Sequence, residues 1–259
     1  MVVNWNSFKR FFGLLIVLMF CATSYSQKGS RFKFGLNVSP SLNWFNIKTT
    51  GIDSRGTIAN LNYGLSTDFA LKGSDRYFFS TGVQLVSNGG RVGYTSVAID
   101  NNIQYSSQVE SKIVARYVEI PISLKLRTHE LGYSIFAGMF GFGTGFRVNA
   151  FEEKRVSYTS ANGSLVENTE TGNIQEKINP VRFSVIIGGE WERKITKDTY
   201  FTFGLTFNSG LSNVFNSNTY TLGPNGNLDW SSVNADGSAN GSKLKGASKT
   251  VALHVGIYF

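Results

Sequence analysis

The feature that most constrains this chain is an alternation of apolar and polar residues that recurs along its length. An alternation with period two indicates β-strands, because successive side chains of a strand point to opposite faces. Polar breaks separate one alternating segment from the next. The eight predicted strands are residues 32–45, 58–71, 76–94, 113–127, 132–149, 181–195, 200–214 and 248–259.

The two faces of these strands differ in a way that indicates which face meets lipid. In the predicted fourth strand, Ile122 and Leu124 lie on one face, and Ser123 and Lys125 lie on the other. The polar face is rich in small residues and carries charges of both signs, which suits a narrow interior. A soluble barrel would instead place Lys and Glu on its outer face. The pattern therefore predicts an all-β fold, an eight-stranded antiparallel up-and-down transmembrane β-barrel.

The N-terminus predicts export. Lys9 and Arg10 precede an apolar run of 12 residues, 11–22, and a small-residue site that ends at Ser26. This run is shorter than the roughly 20 residues of a membrane-spanning helix, so it indicates a signal peptide cleaved before Gln27. The expected domains are a signal peptide over residues 1–26 and an outer-membrane barrel over residues 27–259.

The single cysteine, Cys21, lies inside this apolar run. A lipoprotein site requires a small residue where Phe20 stands, so we expect Cys21 to be removed with the signal peptide. The mature chain would then have no cysteine for a disulfide or a thiolate metal site. Cleavage after Ser26 also removes Lys9 and Arg10, which lowers the formal net charge from +8 to +6.

Short and long connections alternate between the predicted strands. Long periplasmic turns are rare in outer-membrane barrels, whereas long extracellular loops are common. The expected short turns are 72–75, 128–130 and 196–198, and the expected long loops are 46–57, 95–110, 151–178 and 216–245. An even number of strands returns both ends of the barrel to the periplasm. The last strand ends on Phe259, which resembles the C-terminal signal that barrel-assembly machinery recognises.

Charged residues of both signs fall on the predicted inner face. We expect them to pair inside the barrel, and Glu119 to pair with a Lys or Arg of a neighbouring strand. These structural lumen charges are Lys33, Asp68, Glu119, Lys125, Arg182, Glu190 and Glu192.

Three features resemble parts of catalytic or phosphate-binding sites. Glu190 and Glu192 share a face, as an acid–base pair would, and His254 would be the base of a barrel-embedded hydrolase. The glycines Gly138, Gly141, Gly143 and Gly145 loosely resemble a phosphate loop. A packed lumen leaves no room for substrate, and no helical pattern follows the glycines. We therefore expect no catalytic, cofactor or metal site.

Three short stretches carry a family resemblance. Residues 116–125 read Arg-Tyr-Val-Glu-Ile-Pro-Ile-Ser-Leu-Lys, residues 34–37 read Phe-Gly-Leu-Asn, and residues 80–85 read Ser-Thr-Gly-Val-Gln-Leu. In these stretches the chain resembles the PorT-like outer-membrane β-barrel family of Bacteroidetes. The resemblance implies an outer-membrane barrel; one member of that family is linked to gliding and type IX secretion.

These observations predict a class of function rather than a specific task. The basic residues are scattered, so no nucleic-acid partner is expected. The expected partners are outer-membrane lipid, barrel-assembly machinery through Phe259, and other envelope proteins. We expect a non-enzymatic outer-membrane protein that acts through extracellular loops or within an envelope assembly such as a secretion system. The alternatives are a small diffusion pore and a barrel-embedded lipid or peptide hydrolase.

Overall fold

The computed structural model describes residues 32–259 except 72–73, 101–102, 197, 224–226 and 235–237. The predicted signal peptide and its cleavage site lie outside the described residues. Within these residues, two short 3-10 helices, Gln175–Lys177 and Trp230–Ser232, accompany the strands. The described strands are β1 (Phe32–Ile47), β2 (Ile52–Gly56), β3 (Ile58–Ala70), β4 (Tyr77–Asp100), β5 (Ile103–Arg127), β6 (Ser134–Thr159), β7 (Leu165–Asn173), β8 (Val181–Lys194), β9 (Tyr200–Gly210) and β10 (Gly246–Tyr258).

These strands form one antiparallel sheet that closes on itself. Apart from β2 and β7, consecutive strands of the chain are neighbours in the sheet. Strand β3 follows β1, β4 follows β3, and the order continues through β5, β6, β8, β9 and β10. The last strand, β10, pairs back with β1 from Gly35↔Tyr258 to Ile47↔Gly246. Closure leaves no open edge within this ring. The prediction of an antiparallel up-and-down β-barrel is confirmed.

The alternation of the sequence becomes an alternation of burial. Along β5, Lys125 and Ser123 are buried, whereas Ile122 and Leu124 are 49% and 43% exposed. Strand β3 behaves in the same way, with Asp68 buried and Phe69 exposed. Large apolar side chains on the outside and polar side chains on the inside are the arrangement of a barrel surrounded by lipid.

Two of the described strands, β2 and β7, were predicted as loop. Strand β2 pairs with residues 91–94 of β4, and β7 pairs with residues 151–159 of β6. Strands β4 and β5 also pair from Gln84↔Glu119 to Asp100↔Ile103, so the expected long loop over 95–110 is a hairpin. The prediction failed because β2 and β7 are mostly polar, and the hairpin shares with β6 only a small apolar cluster around Val109, Val156 and Tyr158. Outside the apolar band lipid meets neither face, and the alternation that marks a lipid-facing strand is no longer required.

Short connections join the strands at one end of the ring, and long ones at the other. The β3–β4, β5–β6 and β8–β9 connections lie at the end that we call the short-turn end. The opposite end, the loop end, carries the β2 and β7 extensions and the connection 211–245. Among the described residues, no helix is long and apolar enough to cross a membrane.

Pro121 does not break the register of β5. Its partner in β6 is Gly143, within a regular ladder, and the β5–β6 shift lies instead between Arg116 and Tyr117. On the β4 side the Pro121 carbonyl accepts a hydrogen bond of 2.8 Å from the Thr81 hydroxyl. Proline removes only the donor of its own residue, so the strand loses one ladder bond and keeps its register.

Candidate functional site

A buried lysine is the centre of a charge cluster near the short-turn end. The Lys125 ammonium lies 3.0 Å from a carboxylate oxygen of Asp68, 3.0 Å from Glu190 and 3.1 Å from Glu192. Strands β3, β5 and β8 supply these side chains, and each is almost completely buried. Four of the predicted lumen charges therefore lie together.

Arg127 is a fifth member of this charge cluster, and the sequence analysis missed it. Its guanidinium lies 2.9 Å from Asp68 and 2.7 Å from Glu192, and its central carbon lies 4.0 Å from the centroid of the Phe78 ring. Arg127 has the same parity as Lys125, so the alternation pointed to it. Its position at the end of the predicted strand caused the omission.

Lys33 approaches the interior differently. Its ammonium lies 3.7 Å from the centroid of the Tyr200 ring and 5.9 Å from that of Phe78. No carboxylate lies within ion-pair distance of Lys33 in the described part of the chain. A cation over an aromatic face is stabilised without a carboxylate. Lys33 is thus held by aromatic rings rather than by the predicted ion pair.

The remaining predicted charges form a separate pair farther toward the loop end. The Arg182 Nη1 donates to a carboxylate oxygen of Glu119 at 2.5 Å, and Asn208 Nδ2 donates to the other oxygen at 3.2 Å. Arg182 also donates to Asn208 Oδ1 at 2.6 Å and to Ser248 Oγ at 3.0 Å. The cationic partner expected for Glu119 is therefore Arg182. It lies on β8, beyond the neighbouring strand β6, so the expectation of a partner on a neighbouring strand was wrong.

Glycines make room for this pair. An added Cβ at Gly143 would lie 2.9 Å from the Glu119 carboxylate and 2.7 Å from Ser184 Oγ. One at Gly141 would lie 2.3 Å from the Ile122 carbonyl oxygen. The glycine run of β6 thus allows close approach within the barrel, whereas Gly138 has open space around it.

An apolar layer closes the barrel at the loop end. We call this layer the plug. The ring centroids of Phe45 and Phe215 lie 5.1 Å apart, and only 1% of the Ile178 surface is exposed. Residues of β1, β2, β4, β5 and β6 pack with residues of the connections that follow β7 and β9. The plug consists of Phe45, Ile52, Val86, Val92, Ile113, Ala115, Tyr117, Ala150, Ile174, Ile178, Val214 and Phe215.

A cavity of about 310 Å³ lies against the plug at the loop end. We call it the loop-end cavity. Ile113, Ile178 and Phe215 line its apolar part, and Tyr94 and Glu152 are among its polar lining residues. Burial, and next the negative charge of Glu152, raise the pKa of the Tyr94 hydroxyl. The sequence analysis missed this cavity because its walls come from segments far apart in the chain.

The barrel interior contains a smaller cavity of about 90 Å³ beside His254. That volume holds only a few water molecules. His254 Nδ1 lies 3.2 Å from Ser39 Oγ, within hydrogen-bond distance. The histidine is therefore deep inside a narrow lumen, with a serine as its neighbour.

Comparison with known proteins identifies the class. Residues 24–216 match the family model described as the outer membrane protein beta-barrel domain. The chain belongs to this family. It is an outer-membrane β-barrel protein of bacteria, as the lipid-facing strands also indicate. No curated protein matches this outer-membrane barrel.

Solved outer-membrane barrels are similar to it in fold. The surface protein NspA of Neisseria has a TM-score of 0.36 and 10% identity, over 89% of this chain and 98% of that one. Ail of Yersinia pestis, in a complex with the heparin analogue sucrose octasulfate, has a TM-score of 0.31 and 10% identity, over 88% of this chain and 99% of that one. The protease OmpT of Escherichia coli has a TM-score of 0.35 and 8% identity, over 91% of this chain and 99% of that one. At these values the neighbours say nothing about what this barrel binds or does.

Proposed function

We propose that this protein is a non-enzymatic outer-membrane barrel with a closed lumen, which acts through its loop end. The observation that carries the proposal is the double closure of the interior. Ion pairs fill the short-turn end and continue toward the loop end, which the plug fills. A barrel of about eight strands is just wide enough to be filled in this way. What remains available for contacts is the polar extension beyond the lipid-facing band.

The orientation supports action outside the cell. Short turns face the periplasm in bacterial outer-membrane barrels, and longer segments face the medium. In the proposed orientation, β2, β7 and the long β4–β5 hairpin project from the cell surface. There they bind an external molecule or another protein of an envelope assembly, such as a secretion system.

The environment of His254 supports a non-enzymatic role. A hydrolase needs a nucleophile, a base and space for the reacting group within reach of both. Ser39 is close to His254, but the cavity beside them is only about 90 Å³ and lies within the barrel. We assign His254 a structural role.

Export by a signal peptide, assembly through Phe259 and membership of the PorT-like group of Bacteroidetes belong to the same proposal. The support for the last is the Glu-Ile-Pro stretch of β5. The Phe259 backbone completes the pairing of the final strand, since its N–H donates to the Phe34 carbonyl at 2.7 Å.

Two measurements test the proposal. Single cysteines at Asn162, in the β6–β7 turn, and at Asp75, in the β3–β4 turn, are treated with an impermeant thiol reagent on intact cells. We expect Asn162→Cys to react and Asp75→Cys to react only after the cells are opened. The reverse pattern would invert the barrel and refute the proposed orientation.

Conductance separates the proposed function from the second candidate, a small diffusion pore, which the interior cavity favours. Purified protein in planar bilayers is expected to show no steady single-channel steps. Reproducible steps from the unmodified protein would refute the closed barrel and indicate a diffusion pore.

A further inference from the structure

The loop-end cavity has the features of a small-molecule site. Its volume of about 310 Å³ lies at the lower end of the range of ligand pockets, which combine an apolar lining with a few polar groups. Ile113, Ile178 and Phe215 provide apolar surface that belongs to the plug. A ligand seated there would rest on a rigid layer of the barrel rather than on a loop alone.

The group that would select a ligand is a buried carboxylate. Glu152 is only 9% exposed and lines the cavity. Ser111 Oγ donates to its Oε1 at 2.5 Å, and the Tyr94 hydroxyl is hydrogen-bonded to it. Both partners are neutral. Within the described part of the chain, no Lys, Arg or His lies within ion-pair distance of Glu152, although buried charges in proteins are ordinarily paired.

Two lysines, Lys154 and Lys177, also line the cavity, and neither completes that pair. Lys154 shares the face of Glu152 two residues along β6, and its cross-strand partner in β7 is Glu170. Lys177, in the connection after β7, is exposed to solvent. Among the described residues that line the cavity, Glu152 is the only charged one that is buried, because Lys154 is half-buried and Lys177 is exposed. An anionic ligand would therefore enter beside the buried charge of Glu152. A cation would meet that carboxylate in a partly desolvated site, where ion pairs are stronger than in water.

We propose that the loop-end cavity binds a small amphiphilic amine. Its ammonium group contacts the Glu152 carboxylate, and its apolar body packs on the plug. This inference rests on the proposed function, since it names the ligand class that the loop end recognises.

The test uses the full barrel domain in lipid nanodiscs and titration calorimetry with three probes of similar size. These probes are 2-phenylethylamine, 3-phenylpropionate and 2-phenylethanol, which separate charge from partition into lipid. We expect saturable binding of the amine and none of comparable strength for the other two. A charged hydrogen-bond partner contributes enough that Glu152→Gln should weaken amine binding by roughly tenfold or more.

The matched control is the neighbouring carboxylate of the same strand. Glu153 points to the opposite face, is exposed and pairs with Lys112 at 3.3 Å. Glu153→Gln should leave amine binding unchanged, and both variants should keep the heat-dependent gel shift of the parent.

Three results would overturn the inference: equal amine binding by Glu152→Gln, preference for the carboxylate probe, or no saturable amine binding. None of these results bears on the proposed closed lumen or the proposed orientation. Those two proposals are tested by the conductance and labelling measurements. Conversely, channel steps together with Glu152-dependent amine binding would reject the closed barrel and keep the amine site.

Discussion

Removing the Glu119 carboxylate should destabilise the barrel strongly. In Glu119→Ala, the Arg182 guanidinium keeps its contacts with Asn208 and Ser248, but both are neutral. The cation then lies buried, 2% exposed, without a counter-charge. Breaking a buried ion pair in this way costs about 3–5 kcal/mol. At roughly 2–4 °C per kcal/mol for a chain of this size, the unfolding temperature should fall by about 6–20 °C.

The chain offers a matched control for this change. Glu110 also lies on β5 and also pairs with an arginine, Arg55, at 2.8 Å, but its side chain is 60% exposed. Exposed pairs contribute about 0–1 kcal/mol, because water screens them. Glu110→Ala should therefore shift stability little. Both variants are measured by urea unfolding in detergent micelles and by the temperature of the heat-dependent gel shift.

A double-variant cycle decides whether the pair itself is responsible. Glu119→Ala combined with Arg182→Ala removes both charges, so the loss should be smaller than the sum of the two single losses by more than about 1 kcal/mol. Additive losses would mean that the carboxylate acts through packing alone. A Glu119→Ala barrel as heat-resistant as its parent would refute the reasoning altogether.

Three further predictions follow from the same geometry. Lys125→Met leaves three buried carboxylates without their lysine and should lower the free energy of unfolding in urea by at least about 3–5 kcal/mol. Lys112→Met, at an exposed pair on the same strand, should lower it by about 0–1 kcal/mol. Equal losses of stability in the two variants would contradict this prediction. Gly143→Ala places a Cβ 2.7–2.9 Å from side-chain atoms and should lower the unfolding temperature, while Gly138→Ala, with open space around it, should not. Because burial raises the pKa of Tyr94 above its unfolded value, its neutral form is favoured in the folded barrel. Tyr94 should therefore stay protonated after exposed tyrosines ionise, and its stabilising contribution should be lost as the pH rises from the unfolded pKa through the folded one. The ultraviolet difference spectrum between the parent and Tyr94→Phe measures this ionisation, and an early phenolate signal would count against it.

Much of the barrel follows from the sequence through a single physical constraint. Lipid accepts only apolar side chains on the outer face, and a strand turns every second residue inward. Positions such as Ile122 outside and Lys125 inside are therefore readable from parity alone. The same reasoning placed Asp68, Glu119 and Glu192 on the inner face before any partner was known.

What parity cannot supply is the identity of partners across the barrel. Glu119 and Arg182 are 63 residues apart in the chain, and their contact depends on the register of strands that meet only when the ring closes. The assignment of Arg127 to the charge cluster, and of Lys33 to the Tyr200 ring, depends on the same closure. Register and side-chain reach are properties of the assembled barrel.

Beyond the lipid band the sequence loses its constraint, and the tertiary structure decides. Water tolerates polar residues on both faces, so β2 and β7 carry no alternation that marks them as strands. They are strands because β4 and β6 continue past the barrel and offer them unpaired backbone groups. The loop-end cavity arises in the same way, since Tyr94, Glu152 and Phe215 come from three distant segments that only the folded chain brings together.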